Sequence, residues 1–237
     1  MRLDQYLVKN GFFESRNRAV DAIKSGLILV DGKEVLKPSF KINNQKIEVK
    51  EHKFYISRAA KKLESYLNEF NIDIKGKRAL DIGSSTGGFT QILLENGIKS
   101  VDCVDVGKDQ LHPILRDDKR VNLYEECDIR DFKSKPYELI VSDVSFISLT
   151  KILPAINRLS KKGTIAILLF KPQFEVGKNA KRDSKGVVVD KKAILKAQDN
   201  FLKESQKYHF KMLDFRESKV KGKDGNQEYI YTFIKER

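Results

Sequence analysis

The chain contains no tryptophan, only two methionines and two cysteines, and five prolines in 237 residues. Two thiols cannot build a disulfide framework, so Cys103 and Cys127 are read as free, Cys103 packed inside the apolar run Val101–Val104. This usage leads to the expectation of a reducing, cytoplasmic setting. No apolar run approaches membrane-spanning length. The opening Met1-Arg2-Leu3-Asp4 lacks the apolar stretch of a signal peptide, and no long basic amphipathic helix offers itself to a lipid surface. No membrane partner is expected, and no metal-ligating pattern is singled out. Internal repeats and low-complexity tracts are also lacking. Acidic side chains are the minority charge: 33 Asp and Glu face 46 Lys and Arg, a net charge of +13. A basic surface of this size favours a polyanionic partner. Ten basic against six acidic residues fall in residues 1–50, so the excess is shared along the chain. The hydrophobic fraction of 40% supplies a real core, and the length suits one medium domain with a small one.

The first fifty residues read as a small ααββ unit, followed by a charged joint over 51–56 that lacks Pro and Gly. Leu3, Tyr6 and Leu7 fall at i, i+3 and i+4, the spacing of a short helix over 2–9. Ser15 can cap a second helix over Arg16–Ser25, and Gly26 ends it. Leu27-Ile28-Leu29-Val30 is a strand, Asp31-Gly32 the turn of a tight hairpin, and Lys33-Glu34-Val35 the return. Arg16 and Arg18 at a helix N-terminus make a phosphate seat. Arg2-Leu3-Asp4-Gln5-Tyr6-Leu7, Ser15-Arg16 and Gly26-Leu27-Ile28-Leu29-Val30-Asp31-Gly32-Lys33 together resemble the S-four-type RNA-binding module, which implies contacts to structured RNA from Arg2, Arg16, Arg18 and Lys33.

From Ser57 to the end, helix and strand patterns alternate. A helix from Ser57 carries the apolar face Leu63, Tyr66, Leu67 and Phe70. Strands are expected up to Asp81, over Val101–Val104, near Val121–Tyr124, over Leu139–Ser142 and over Thr164–Phe170. A helix follows over Lys191–Gln206, and final strands over Phe210–Val220 and Gln227–Ile234. The pattern implies an open, mostly parallel α/β sheet. Ligands of such sheets bind beyond the carboxyl ends of the strands. Asp81, Asp105, Asp143 and Lys171 all fall there.

The stretch Asp81-Ile82-Gly83-Ser84-Ser85-Thr86-Gly87-Gly88-Phe89-Thr90 joins a strand to a helix through a glycine-rich turn, which lets backbone N–H groups close on a polar cofactor. A dinucleotide fingerprint G-x-G-x-x-G would need glycine at Ser85. The spacing D-x-G-x-x-x-G-G instead resembles the first motif of S-adenosylmethionine (SAM)-dependent methyltransferases. Asp105, 22 residues after Gly83, suits a ribose. Asp128 follows the third strand and suits the adenine.

Six segments now carry a wider resemblance. They are Ser57-Arg58-Ala59-Ala60-Lys61-Lys62-Leu63, the glycine-rich decapeptide, Asp105-Val106-Gly107 with Gln110-Leu111, Ser142-Asp143-Val144-Ser145-Phe146-Ile147-Ser148-Leu149, Phe170-Lys171-Pro172-Gln173-Phe174-Glu175 and Gly225-Asn226-Gln227-Glu228. In this order, with the N-terminal module, they resemble the TlyA-type (hemolysin A family) rRNA methyltransferases of the FtsJ-like 2′-O group. Ala59-Ala60 stand where that family often has two glycines. The resemblance implies a Rossmann-like SAM methyltransferase fold with a seven-stranded, mostly parallel sheet over 57–237. It implies SAM as cofactor, held by Asp81, Gly83, Ser84, Ser85, Thr86, Gly87, Gly88, Phe89, Asp105, Asp128 and Asp143. It also implies a catalytic set of Lys62, Asp143, Lys171 and Glu228, and ribosomal RNA or ribosomal subunits as partner.

A ribose 2′-hydroxyl is a poor nucleophile and must lose its proton during transfer. A lysine accepts that proton only when neutral, a state favoured by a neighbouring cation and by partial burial. Lys171 is assigned as base and Lys62 as its tuning neighbour, with Asp143 and Glu228 holding the amines. The cytosine-C5 and exocyclic-amine alternatives lack their motifs after the fourth and fifth strands. Arg58 opens the first segment, and Lys181 and Arg182 sit in a Lys- and Gly-rich stretch over 172–190 read as a mobile RNA grip. Cytidine 2′-O-methylation of ribosomal RNA is the expected activity, with 23S rRNA favoured over 16S. A non-catalytic ribosome-binding or assembly factor and a hemolysin-like membrane-active protein are the alternatives.

Overall fold

Continuous apolar runs such as Leu139-Ile140-Val141 and Ala166-Ile167-Leu168-Leu169-Phe170, buried on both sides, build the core of the larger part of the molecule. The computed structural model describes residues 1–13, 15–50 and 53–237. It separates into two units, Met1–Phe54 and Tyr55–Arg237. The expected joint over 51–56 includes Glu51 and His52, which lie outside the described residues.

In the first unit, helices α1 (Leu3–Lys9) and α2 (Arg16–Lys24) pack on a three-stranded antiparallel sheet of β1 (Ile28–Val30), β2 (Lys33–Glu34) and β3 (Ile47–Val49), ordered β2-β1-β3. Leu3, Leu7, Ala19, Ala22, Ile23, Ile28, Val30 and Ile42 form its core. Ser15 caps α2 by accepting the Arg18 N–H. Asp31 and Gly32 both take positive φ, 49° and 75°, the pair of left-handed residues that a type I′ hairpin requires. The third strand is an addition to the expected ααββ unit. Its three residues sit between lysines and offer too short an alternation to stand out. It is held in place by the hairpin turn, where Asp31 Oδ1 accepts the Lys46 N–H at 2.8 Å.

In the second unit, β4 (Arg78–Ile82), β5 (Ser100–Val104), β6 (Val121–Tyr124), β7 (Tyr137–Ser142), β8 (Ser160–Phe170), β9 (Phe210–Glu217) and β10 (Tyr229–Lys235) form one sheet ordered β6-β5-β4-β7-β8-β10-β9. Only β10 runs against its neighbours β8 and β9. Helices α3 (Arg58–Glu69), α4 (Gly88–Glu95), α5 (Pro113–Arg116), α6 (Leu149–Arg158), α7 (Pro172–Glu175) and α8 (Lys191–Lys207) connect the strands. Ala79, Leu139, Val141 and Ile230 face Leu63, Tyr66, Ile92 and Leu93 of α3 and α4. Their neighbours in sequence, Leu80, Ile140 and Tyr231, face Ile152, Ile156 and Phe201 of α6 and α8. Both faces of the central strands are therefore dry, as mostly parallel sheets require. This seven-stranded Rossmann-like arrangement is the expected one, and its strand order reverses between β4 and β7. Crevices open at such reversals, beyond the strand ends.

Candidate active site

The glycine-rich turn leaves β4 at this crevice. Gly83 and Gly87 take φ of 75° and 92°, and Ser85 shares the left-handed region at 46°. A side chain on Gly83 would press on Val144 from 3.1 Å, and one on Gly87 would strike Leu115 at 2.2 Å. The glycines thus keep the turn flat against its neighbours. Asp105, just past β5, ties the turn down. Its carboxylate accepts the Ser85 N–H at 2.8 Å and the Gly107 N–H at 2.7 Å.

Two adjoining cavities open around this turn. One of about 370 Å³ is lined by Ser57, Arg58, Lys62, Asp81, Ser84, Thr86, Gly88, Phe89, Lys171 and Glu228, among others. The other, of about 410 Å³, is lined by Asp105, Val106, Gln110, Cys127, Asp128 and Ile129. Gly83, Ser85, Asp143, Ser145 and Phe146 belong to both walls. Together they suit an elongated ligand that is polar at one end.

Four lining residues of the first cavity, Ser57, Asp81, Ser84 and Gln173, each hold a buried side-chain oxygen without a hydrogen-bond partner. Such orphans are costly unless a ligand or water satisfies them. Asp81 is the sharpest case. It lies within β4, almost fully buried, and accepts one hydrogen bond from the Thr90 hydroxyl at 2.6 Å. Burial, with the nearby charges of Asp143 and Asp105, pushes its carboxyl up to about 7.

The four residues of the expected catalytic set lie on the wall of this first cavity, and they form two ion pairs. Lys171 Nζ lies 2.6 Å from Asp143 Oδ1 and donates to Ser145 Oγ at 2.8 Å. Lys62, reaching in from α3, donates to Glu228 Oε2 at 2.5 Å. Gln173 Nε2 donates to the other oxygen of Glu228 at 3.2 Å. All four side chains are largely shielded from solvent. The neighbouring strands β7, β8 and β10 bring them together, because Asp143 and Lys171 follow β7 and β8 while Glu228 precedes the antiparallel β10.

Other expected residues have settled tasks. Asp128 lines the second cavity, and its carboxylate accepts from the Arg130 guanidinium at 2.5 Å, which holds it below the usual carboxylate range. Arg58 is exposed at the mouth of the first cavity. Lys181 is exposed, and Arg182 donates to the backbone carbonyls of Gln173, Gly177 and Gly186. The stretch around them is a turn pinned by Asp183, not the open loop that its composition suggests. In the first unit, Arg2 and Arg16 both donate to the buried Asp4, at 3.0 and 2.8 Å. The Arg18 guanidinium lies 4.9 Å over the Phe54 ring, and Lys33 is exposed.

The residue that sequence reasoning passed over is Phe146. It has φ of 65° and stands 91% exposed on the wall of both cavities, 5.1 Å from the Phe174 ring. A large aromatic held in the left-handed region and in water is unusual. Only its place three residues after Asp143 could have flagged it.

Residues 55–235 match the model of the FtsJ-like methyltransferase family, and residues 1–45 that of the S4 domain. The chain belongs to the FtsJ-like methyltransferase family. This FtsJ-like chain is 45% identical to the 23S rRNA (cytidine-2′-O)-methyltransferase TlyA of Campylobacter jejuni, over 99% of this chain and 100% of that one. It is 39% identical to hemolysin A of Brachyspira hyodysenteriae, over 99% and 100%. The 16S/23S rRNA (cytidine-2′-O)-methyltransferase TlyA of Mycobacterium tuberculosis is 34% identical, over 97% of this chain and 88% of that one. A solved Streptococcus thermophilus structure described as a candidate hemolysin superposes with a TM-score of 0.74 at 35% identity, covering 100% of this chain and 88% of that one. A solved Listeria monocytogenes structure described as a candidate S-adenosylmethionine-dependent methyltransferase shares the fold at 16% identity and a TM-score of 0.58, over 76% of this chain and 100% of that one.

Proposed function

We propose that this protein moves a methyl group from SAM to the ribose 2′-hydroxyl of a cytidine in ribosomal RNA, with 23S rRNA the favoured substrate and 16S rRNA a second one, in the cytoplasm. The observation that carries this reading is the pair of buried Lys–carboxylate bridges beside a glycine-rich turn of methyltransferase spacing. The activities named for the Campylobacter and Mycobacterium relatives support it.

The residues present fit the cofactor. Asp81, Ser84 and Ser57, with the α4 N-terminus at Gly88 and Phe89, would hold its charged amino-acid end, where orphaned oxygens now stand. Asp105 and Gln110 would hold its ribose, and Asp128 and Ile129 its base. When bound, SAM supplies an activated methyl group on a positively charged sulfur.

The protein supplies orientation and a proton acceptor. Asp143 and Ser145 fix Lys171 Nζ at the rim, where it is placed to receive the hydroxyl proton. Lys62, held by Glu228 on the same wall, adds a second ammonium group to the rim. Phe146 and Phe174 offer an aromatic surface on which an unstacked base can rest. Arg2, Arg16, Arg18 and Lys33 of the S4 domain supply phosphate contacts, and Arg58 adds one at the cavity mouth.

The test is direct. Separated ribosomal subunits from an unmodified strain, incubated with labelled SAM, should take up 2′-O-methyl groups on cytidine, chiefly in the large subunit. Label on a base, or none, would sink the reading. The name of the Brachyspira relative keeps membrane activity as a second reading. Among the described residues no helix is long and apolar enough to cross a membrane. Dye release from liposomes by purified protein would be needed to sustain that reading.

A further inference from the structure

Two lysine-bearing loops meet beside the first cavity. The segment 176–190 folds around Arg182 and Asp183. Arg182 pairs with Val188 in a short antiparallel bridge, and Asp183 Oδ1 accepts the N–H groups of Lys185 and Val187 at 2.8 and 2.9 Å. The segment 218–227 turns through Gly222, whose N–H donates to the Asn226 carbonyl at 2.9 Å. A side chain on Gly222 would come within 2.6 Å of Glu228 Oε1, so this loop lies directly on the catalytic wall.

One side chain joins the loops. Asn226 is 4% exposed, and its Oδ1 accepts the Val188 N–H at 2.9 Å. Several loop charges are spent on structure, Arg182 on carbonyls, Asp183 on N–H groups and Lys219 on Glu69, while the exposed Asp224 lines the cavity beside Lys223. Lys178 and Lys185 of one loop, and Lys221 and Lys223 of the other, are exposed. None of these four ammonium groups has an ion-pair partner among the described residues, and Lys223 lines the cavity itself.

We propose that the two loops form a single basic lip that grips the sugar–phosphate backbone of RNA next to the reacting nucleotide, with Asn226 as the clasp that makes two loops one surface. The proposal rests on the RNA methyltransferase reading and adds the surface that holds the strand at the cavity. Flexible ammonium groups contact phosphates without reading sequence, which suits a lip whose task is to hold the strand while the rim chooses the hydroxyl.

The test compares wild type with the double variant Lys185→Ala/Lys221→Ala and with Asn226→Ala, all as full-length protein. Affinity for a short single-stranded RNA is measured across salt concentrations, together with SAM affinity, melting temperature and kcat at saturating RNA. The double variant should bind RNA about ten-fold more weakly and lose about 1 to 2 from the slope of log affinity against log salt. SAM affinity, melting temperature and kcat should hold. Asn226→Ala should weaken RNA binding in the same direction, and adding it to the double variant should cost less than the two effects combined. A wild-type salt slope in the double variant overturns the lip. So does a loss confined to vesicles of anionic lipid. The binding measurement needs no methyl transfer, so failure of the parent reading would appear separately, as RNA bound but never methylated.

Discussion

Lys171 and Lys62 each have a carboxylate of their own, and this division decides what each substitution does. Removing Lys171 takes away the proposed proton acceptor and leaves the Asp81–Ser84 end of the cavity as it is. Lys171→Ala should therefore keep SAM binding, measured by calorimetry, and lower methyl transfer by about 10²- to 10⁴-fold, the usual worth of a general base. Full activity would remove Lys171 from the mechanism. Asp81 carries a prediction of a different kind. Its carboxyl is raised to about 7 by burial first and by Asp143 and Asp105 after it, so the folded state holds a proton that the unfolded state releases near pH 4. The associated stability is complete below about pH 4 and is lost as pH rises through about 7. Urea melts of Asp81→Asn and wild type should differ by roughly 2 kcal/mol more in favour of the variant at pH 8 than at pH 5. An equal difference at both values would show that Asp81 stays ionised throughout. At this scale Asp143 and Lys171 were legible because each directly follows an apolar strand, whereas Lys62, in a helix, and Glu228 were reached through the family resemblance. The sequence could not divide the four into pairs, nor foresee that Arg182 would be used up on backbone carbonyls, since both depend on where side chains end in space.

At the scale of elements, α3 and α4 touch more closely than ordinary helices, and Lys62 depends on that contact. A side chain on Gly88, at the start of α4, would lie 2.1 Å from Ser57 Oγ and 2.8 Å from the Ala60 backbone nitrogen. Ala59 and Ala60 thus keep the small profile for which glycines commonly serve in the family. The helix has a second anchor one turn beyond Lys62. There the Tyr66 hydroxyl hydrogen-bonds Thr232 on β10 at 2.5 Å and donates to Asp214 on β9 at 3.0 Å. Gly88→Ala has no room to relax at the backbone, so it must push α3 outward and draw Lys62 away from Glu228. The expected outcome is a loss of about 1–3 kcal/mol of stability by urea melt, with methyl transfer falling further than unfolding explains at the assay temperature. A variant with wild-type stability and rate would show that the two helices separate freely. Helices α1 to α4 and α8, and the seven strands of the sheet, were legible from their apolar pattern, whereas the four-residue α5 and α7 were not. Nor was β3, with three residues.

At the scale of the whole molecule, two units with separate cores respond to different conditions. Asp4 lies at the heart of the first, held down to about 2 by hydrogen bonds from Arg2 and then Arg16 despite its burial. Its contribution is present above about pH 4 and lost as pH falls towards 2, opposite in sign to that of Asp81. Arg2 and Arg16 are therefore poor sites for testing RNA contact, because changing either also strips a buried carboxylate of a partner. The Arg18 guanidinium lies over the Phe54 ring, and Lys33 is exposed. With a net charge of +13, the protein should meet RNA electrostatically through both units, the S4 domain recruiting the structured substrate and the methyltransferase domain acting on it. Arg18→Glu/Lys33→Glu should then raise the KM for ribosomal subunits by about ten-fold or more and flatten the salt dependence of binding. The kcat at saturating substrate and the affinity for SAM should stay at wild-type values, because neither residue belongs to the unit that holds the cavity. A fall in kcat with unchanged KM would mean that the first unit acts during methyl transfer and not in capture of the RNA.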